Sequence, residues 1–256
     1  MRLSFPQLLA RIGFSALAAI IGILFALPLI WFIFAPFNAR AELGIAIPDP
    51  WTLQNFVTVF GNGFAMRGLL NSLIQSVGGV ILVAAAATLA AYALSRSSIP
   101  GKGMITYVLL LFSSVVSGTA AMVPIFLIVS SVGLMDTHIA VILVFAGGLL
   151  PTAMFILRDF IDGIPRTYEE SAMVAGASPV QAFFDVALPV IRPGIVVVVV
   201  WAFVNIWGSF LIPFILLRSD DLMPSSVAIY SFYSEAGTPI VTLLAAYSLI
   251  YSLPVV

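Results

Sequence analysis

Residues 164–189 read IPRTYEESAMVAGASPVQAFFDVALP, and this stretch decides how the whole chain is interpreted. It is the longest part of the sequence that resembles neither a membrane span nor an obvious loop. Thr167 at the N-cap with Glu170 at N3 predicts a capping box, and Gly176 supplies the positive φ that ends a helix of about two turns. Because so short a helix is marginal in water, it needs a surface to lie on.

A second set of helix signals follows directly. Ser178 is the expected N-cap, Pro179 occupies N1 where its missing N–H costs nothing, and Gln181 falls at N3. The helical period places four apolar side chains on one side of this second helix: Val180, Phe183, Phe184 and Ala187. Since proline lacks an N–H, we expect the helix to end before Pro189. The stretch therefore predicts two short helices joined at a glycine corner.

The composition indicates a membrane protein. Hydrophobic residues make up 62% of the 256-residue chain and charged residues only 8%, and the mean hydropathy is +1.18, outside the range of soluble domains. The absence of cysteine excludes disulfides, thiol nucleophiles and cysteine-based metal sites. His138 is the only histidine, so we expect it to be a solvated loop residue rather than a metal ligand.

Apolar runs predict an all-α, polytopic protein. At about twenty apolar residues per crossing, the sequence contains six spans, near residues 12–34, 69–94, 104–132, 139–157, 194–217 and 239–256. The first is too long and lacks the cleavage site of a signal peptide, and Pro28 predicts a kink within it. We expect residues 1–256 to form one transmembrane domain. The last run is apolar to its final residue, so we expect the natural chain to continue beyond it.

The basic residues predict the orientation. Alternate loops place seven of them on one side, Arg2, Arg11, Arg96, Lys102, Arg158, Arg166 and Arg192. The other side has three, Arg40, Arg67 and Arg218. Because cytoplasmic loops are enriched in Lys and Arg, we expect the N-terminus and residues 164–189 to be cytoplasmic.

The spacing within residues 164–189 resembles the EAA motif of permease subunits of bacterial binding-protein-dependent ABC importers of the carbohydrate-uptake type. The matching positions are Glu170-Ser171-Ala172, Gly176 and Val186-Ala187-Leu188-Pro189, with every spacer correct. Ser171 replaces the usual alanine and Val186 the usual isoleucine, and both changes are small. Ala175 stands where sugar-type members often carry aspartate.

Further stretches extend the resemblance from about residue 45 to 254. They are Asn71-Ser72, Ala90-Ala91-Tyr92-Ala93-Leu94-Ser95-Arg96, Pro100-Gly101-Lys102, Val123-Pro124-Ile125-Phe126, and Gly133-Leu134 with Thr137. Where such permeases usually have Trp-Asn, an acidic residue and Phe, this chain has Trp207-Gly208-Ser209-Phe210. The missing amide and carboxylate weaken the expectation of an ordinary neutral sugar as substrate.

The resemblance implies a type I importer permease with two cytoplasmic coupling helices. Its coupling residues would be Glu170, Ser171, Ala172, Gly176, Val186, Leu188 and Pro189. The implied partners are a second permease, two ATPase subunits, an extracytoplasmic solute-binding protein and membrane lipid, with no nucleic acid. No phosphate-binding GxxxxGK[ST] motif occurs in the chain. ATP and Mg²⁺ would therefore be bound by the ATPase subunits, and the chain would be neither an enzyme nor a cofactor-binding protein by itself.

Two interpretations stay open for several residues of the segment. Glu170 is either a helix cap or an acidic contact to a basic residue of the ATPase. Phe183 and Phe184 either pack on the permease's own spans or insert into the ATPase. Four charged residues are expected to form a solvated face: Asp159, Asp162, Arg166 and Glu169.

Polar residues within spans are candidates for the translocation path, because such residues tend to face a bundle interior or a water-filled cavity. The candidates are Asn71, Gln75, Ser117, Asn205 and Ser209. Serine can bond to its own helix, whereas we expect that the amides of Asn71, Gln75 and Asn205 cannot easily do so. No catalytic residue or metal ligand is predicted.

The sequence favours an importer permease for a sugar or sugar derivative in a bacterial cell membrane. An ABC importer permease for another small polar solute, such as a glycerophosphodiester, an amino acid or a peptide, is the main alternative. An ion-driven secondary transporter would predict inverted repeats and a charged site within the membrane, and the sequence shows neither. A membrane scaffold would not explain the EAA spacing.

Overall fold

A computed structural model describes residues 5–40, 47–98, 100–116 and 119–256 of the chain. Within these ranges the elements are helices, with isolated β-bridges only between Asn38 and Trp51 and between Tyr233 and Pro239. The main helices, α1 to α11 in chain order, are Phe5–Phe34, Gln54–Gly61, Gly63–Arg96, Lys102–Val116, Met122–Ser131, His138–Asp162, Thr167–Val174, Pro179–Val190, Arg192–Trp207, Leu211–Leu216 and Val241–Ser252. The predicted all-α class is confirmed.

The chain divides into two compact units, Met1–Met66 with Ile229–Val256, and Arg67–Ala228. In the first unit, Tyr247 of α11 is fully buried, and its hydroxyl donates to the carbonyl of Ala65 at 3.2 Å. The Asn55 amide of α2 donates to the carbonyls of Pro36 and Asn38, at 2.8 and 2.9 Å. These buried side-chain bonds hold the irregular backbone after α1 in place.

The core of the second unit is built from small and branched residues of α3, α6 and α9. Ala87, Ala91, Leu157, Val198 and Ala202 have no exposed surface. Gly194 packs so closely on the ring of Phe160 that a Cβ atom there would lie 2.6 Å from the ring. Small residues at helix contacts allow close approach of backbones, which is how helices associate in lipid.

Among the residues that the structure describes, three continuous stretches are long and apolar enough to cross a membrane: Gly13–Phe37, Gly63–Arg96 and His138–Asp162. These match the first, second and fourth predicted spans. Among the described residues, the helices Pro179–Val190 and Arg192–Trp207 are together long and apolar enough for a crossing, but they are bent by 70° where they meet. The second of them lies in the fifth predicted span. The sixth predicted span contains the shorter apolar helix Val241–Ser252.

Two predicted spans are not the continuous helices we expected. The third divides into α4, which ends at Val116, and α5, which begins at Met122. The fifth ends at Trp207 rather than 217, because the backbone at residues 208–210 leaves the helix before α10 begins. Apolar composition alone does not distinguish a broken span from a straight one, since broken backbone at membrane depth is tolerated where protein surrounds it.

Candidate functional site

The first short helix, α7, begins differently from the prediction. Arg166 is the N-cap residue, already has helical φ and ψ, and makes no side-chain cap bond. The Glu170 N–H donates to the Arg166 carbonyl at 3.0 Å, so the expected Thr167–Glu170 capping box is wrong. Because Pro165 lies just before this turn and its carbonyl accepts the N–H of Tyr168 at 3.2 Å, the helix starts one residue early and Thr167 lies within its first turn.

The end of α7 follows the prediction. Gly176 has a φ of +100°. Its N–H donates to the Met173 carbonyl and the next N–H, that of Ala177, donates to the Ala172 carbonyl, both at 3.0 Å. These two bonds form a Schellman motif. The glycine corner between the two short helices is therefore confirmed.

The start of α8 is also as predicted, but its end is not. Ser178 and Gln181 form the full capping box, with Pro179 in the first turn. The helix then continues past Pro189 to Val190, because residues 182–187 adopt a π-helix. Its wider i→i+5 turns change the bonding register, so the expectation that the helix ends before Pro189 is wrong.

The π-helix also divides the predicted apolar face. Phe183 and Ala187 are buried, at 5% and 0% exposure, whereas Val180 and Phe184 are 65% and 55% exposed. A turn with more residues than 3.6 moves side chains away from the positions of an α-helical stripe. The expectation of a single apolar side is therefore wrong. Phe183 packs on Tyr92 of α3, with ring centroids 4.7 Å apart.

The predicted coupling residues form a partly exposed surface. Glu170, Ser171 and Gly176 are exposed, and Ala172, Val186, Leu188 and Pro189 are partly buried. Apolar side chains surround the exposed ones, since Tyr168, Met173 and Val174 are 59%, 41% and 90% exposed. The part of the chain that the structure describes contains no ion pair to Glu170. The segment therefore presents a carboxylate and an apolar rim for contact with another molecule.

Glu169, next to Glu170, is buried rather than solvated. It is 5% exposed, and its Oε1 lies 2.8 Å from Arg96 Nε and 2.6 Å from Arg96 Nη2. The Tyr92 hydroxyl donates to its Oε2 at 2.8 Å. Placing Glu169 in a solvated face is therefore wrong. An ion pair so deeply buried needs these additional hydrogen bonds to offset the desolvation of its charges.

The other three charged residues lie close to the same end of α3. The Arg166 guanidinium donates to the Ser95 carbonyl at 3.2 Å, which satisfies a carbonyl near the end of α3. Asp162 accepts from the Ser95 hydroxyl and from Arg158 Nε at 3.3 Å. Asp159, Asp162 and Arg166 are all exposed, as predicted. Ser95 and Tyr92 were missed as members of this site, although both lie in the Ala90–Arg96 stretch that carried the resemblance.

At the other end of α3, two candidate path residues hold a loop in place. Asn71 is 5% exposed and donates to the carbonyls of Asp221 and Met223, at 2.8 and 3.0 Å. Gln75 is 2% exposed and donates to the carbonyl of Leu222 at 3.3 Å. Both amides are therefore used within the chain, at backbone carbonyls that would otherwise lack partners.

His138 differs from the expected solvated loop residue. It is the first residue of α6 and is only partly exposed. Its Nδ1 lies 3.2 Å from the Gln75 Nε2, so this ring nitrogen accepts from the amide. No local sequence pattern predicts this contact, because the two residues are 63 positions apart in the chain.

Asn205 and Ser209 line one cavity of about 160 Å³, with Phe145, Gly148 and Ile212 among its other walls. The Asn205 amide donates to the Trp201 carbonyl at 2.7 Å, so our expectation that it cannot bond to its own helix is wrong. Its side chain reaches back one turn, and within the described part of the chain its carbonyl oxygen has no hydrogen-bond donor. Ser117 lies outside the described residues.

Asp136 is a further structural residue that the sequence did not reveal. It has a φ of +60°, and its carboxylate accepts from the N–H groups of Arg218 and Ser219, at 2.9 and 3.0 Å, and from the Ser219 hydroxyl. The Ser219 hydroxyl and these N–H groups hold the pKa of Asp136 below its ordinary value, because they favour the charged form. The turn before α6 is thereby joined to the chain after α10.

Taken together, the fold and this site define a multi-pass helical membrane protein with an anchored, partly exposed pair of short helices. Residues 99–255 match the family described as binding-protein-dependent transport system inner membrane component, and the chain belongs to that family. It is thus a transporter permease subunit rather than a catalytic domain.

Individual relatives agree with this membership. The diacetylchitobiose uptake system permease protein of Streptomyces coelicolor is 31% identical over 209 residues, covering 80% of this chain and 69% of that protein. An inner membrane ABC transporter permease protein of Escherichia coli K12, YcjP, is 31% identical over 257 residues, covering 97% and 90%. The fold is similar to that in a crystal structure of a bacterial alginate ABC transporter, with a TM-score of 0.87, 19% identity, and coverage of 100% and 95%.

The Asp136 contacts lead to a prediction about pH and local stability. In Asp136→Asn, the amides of Arg218 and Ser219 should exchange hydrogen roughly tenfold faster at neutral pH. The substitution replaces a charged acceptor by a neutral one, which forms weaker hydrogen bonds. The lowered pKa means that the wild-type protection is fully present above the ordinary carboxyl pKa. It is lost as the pH falls through the lowered value. Hydrogen exchange followed by mass spectrometry measures both effects.

The control for this experiment is Asp220→Asn, in the same loop, which should leave these amides unchanged. Equal exchange rates in wild type and Asp136→Asn at neutral pH would contradict the assigned role of Asp136.

Proposed function

We propose that this permease subunit carries a sugar or sugar derivative inward, with energy from ATP hydrolysed by separate ATPase subunits that contact residues 164–189. The observation that carries the proposal is the contrast between two adjacent carboxylates. Glu169 is buried in an intrachain ion pair, and Glu170 is exposed within an apolar rim. The first fixes the segment to the permease, and the second is available to a basic residue of another subunit.

The proposed solute class rests on the relatives. Two of them are named for diacetylchitobiose uptake and for maltodextrin transport, in Streptomyces coelicolor and Bacillus subtilis. A bacterial alginate transporter with a similar fold has been crystallised with a periplasmic protein that holds an alginate pentasaccharide. These similarities favour a saccharide delivered by a solute-binding protein over an amino acid or a peptide.

The proposed orientation places the N-terminus and residues 164–189 in the cytoplasm. Arg96, Arg158 and Arg166 meet at one end of α3, and this is the side on which the sequence concentrates basic residues. The segment around residues 218–228, held by Asn71 and Gln75 at the other end of α3, would face the binding protein.

The proposed mechanism is rigid-body alternating access. Closure of the ATPase subunits on ATP would move the docked short helices, and the helices fixed to them would tilt with them. A second, similar permease would complete the path, with Asn205 and Ser209 in its wall. ATP and Mg²⁺ would bind to the ATPase subunits and not to this chain.

Replacing Glu170 tests the contact with the ATPase. In the complex reconstituted with its binding protein and maltodextrin or diacetylchitobiose, Glu170→Ala should lower the stimulated ATPase rate about tenfold or more, as expected when one partner of an interfacial charge pair is removed. Asp159→Asn, an exposed acid of α6 that lies outside this segment, is the matched control and should retain the wild-type rate. Full stimulation in Glu170→Ala would contradict the proposed contact.

Replacing the candidate path residues separates transport from stability. Asn205→Ala should reduce uptake of the same sugars severalfold and leave the melting temperature unchanged, because within the described residues its amide bonds only to its own helix. Asn71→Ala should lower the melting temperature, since it leaves two carbonyls unpaired at a cost of about 1–3 kcal/mol. Radiolabelled uptake and thermal unfolding in detergent measure the two effects. Unchanged uptake in Asn205→Ala would exclude this residue from the path.

A further inference from the structure

The end of α3 contacts residues 162–169 through Tyr92, Ser95 and Arg96, which lie on one face of the helix. Tyr92 donates to Glu169 at 2.8 Å, Ser95 bonds to Asp162 and, through its carbonyl, to Arg166, and Arg96 pairs with Glu169. Arg96 Nη2 also donates to the carbonyl of Ile164 at 3.2 Å. The loop that leads into α7 and the first turn of α7 are thus both bonded to α3.

The burial of this pair points to a role in geometry rather than in stability alone. The side chains of Arg96 and Glu169 are 14% and 7% exposed. Replacing a buried ion pair by packed apolar residues is often neutral or stabilising, so a pair like this is weak evidence for stability. An arginine–carboxylate pair also fixes the relative orientation of the two side chains, because the guanidinium donates its hydrogen bonds in its own plane.

The two carboxylates of the segment point different ways for a simple reason. Successive residues of an α-helix are separated by about 100° around its axis. When Glu169 faces Arg96, Glu170 is turned away from the permease and toward solvent. The orientation of the exposed carboxylate is therefore set by the buried one.

We propose that Glu169 is a positioning residue, which through Arg96 and Tyr92 makes α7 and the cytoplasmic end of α3 a single rigid lever. When the ATPase subunits displace α7, α3 then moves by the same amount. The helices that pack against Ala87 and Ala91 move with α3. This inference rests on the proposed function, because it requires that an ATPase acts on the segment.

The test measures whether ATP moves α7 relative to α3. The chain contains no cysteine, so spin labels on Val174→Cys and Ile81→Cys, which are 90% and 64% exposed, report one distance in the permease. Ile81 lies fifteen residues before Arg96, about 22 Å along the helix, which suits pulsed electron resonance. The distance is recorded in the purified complete complex, before and after ATP with vanadate.

With Glu169 and Arg96 intact, we expect the distance to change by less than about 2 Å on adding ATP, the size of an ordinary helix shift. In Glu169→Gln the same addition should change it by more than that, because the ATPase moves α7 without α3. A pair that served folding alone would not give a distance that depends on ATP. The control is Asp159→Asn, an exposed carboxylate in the last turn of α6, which should behave as wild type.

Tyr92→Phe provides a second variant if Glu169→Gln does not assemble. It removes one hydroxyl from the site, keeps the ring that packs on Phe183, and should broaden the distance distribution with ATP. A distance change of more than about 2 Å in wild type, or wild-type behaviour in the assembled variants, would overturn this inference but not the proposed function. Absence of any ATPase subunit from the purified complex would overturn the proposed function, and the inference with it.

Discussion

The buried ion pair between Arg96 and Glu169 is the interaction on which the rest of the site depends. Helices of the length of α7 and α8 are marginal in water, so their position has to come from contacts with longer elements. The pair, the Tyr92 hydroxyl and the ring contact between Tyr92 and Phe183 supply those contacts at the end of α3. The segment is thereby held against the membrane-spanning part of its own unit, and its outer face stays free.

At the opposite end of α3, neutral amide side chains hold the adjoining loop in place. Backbone carbonyls that leave a helix near lipid need partners, and the loop at residues 221–223 obtains them from the amides of Asn71 and Gln75. Asp136 serves the N–H groups of the adjoining residues. Thus α3 bonds to the segment around Glu169 through a charged side chain at one end, and to residues 221–223 through amide side chains at the other.

Sequence motifs predicted the structure correctly where the interactions that define it lie within one helical turn. Ser178, Gln181 and Gly176 form the predicted cap and corner, because these motifs involve residues within one turn. Long apolar stretches likewise predicted α1, α3 and α6. The prediction that Thr167 is an N-cap was wrong because α7 starts one residue earlier, after Pro165. The prediction that α8 ends before Pro189 was wrong because a π-helix precedes that proline. In both cases a neighbouring residue changed the bonding register.

Tertiary partners could not be predicted from one sequence. Nothing in the local pattern distinguishes Glu169 from Glu170, although one is buried and the other exposed. Similarly, Asn71, Gln75 and Asn205 look alike as polar residues in apolar runs. The first two hold a distant loop, and the third lines a cavity with Ser209. The roles of Glu169, Asn71 and Gln75 depend on contacts across more than sixty residues of chain, which spacing does not encode.

The most direct test of this account locates the exposed face of α7. Because the chain has no cysteine, Val174→Cys can be labelled alone with a membrane-impermeant maleimide in oriented vesicles. We expect labelling only from the cytoplasmic side, and protection of that cysteine when the ATPase subunits are bound. Labelling from the outer side, or equal labelling with and without the ATPase subunits, would contradict it.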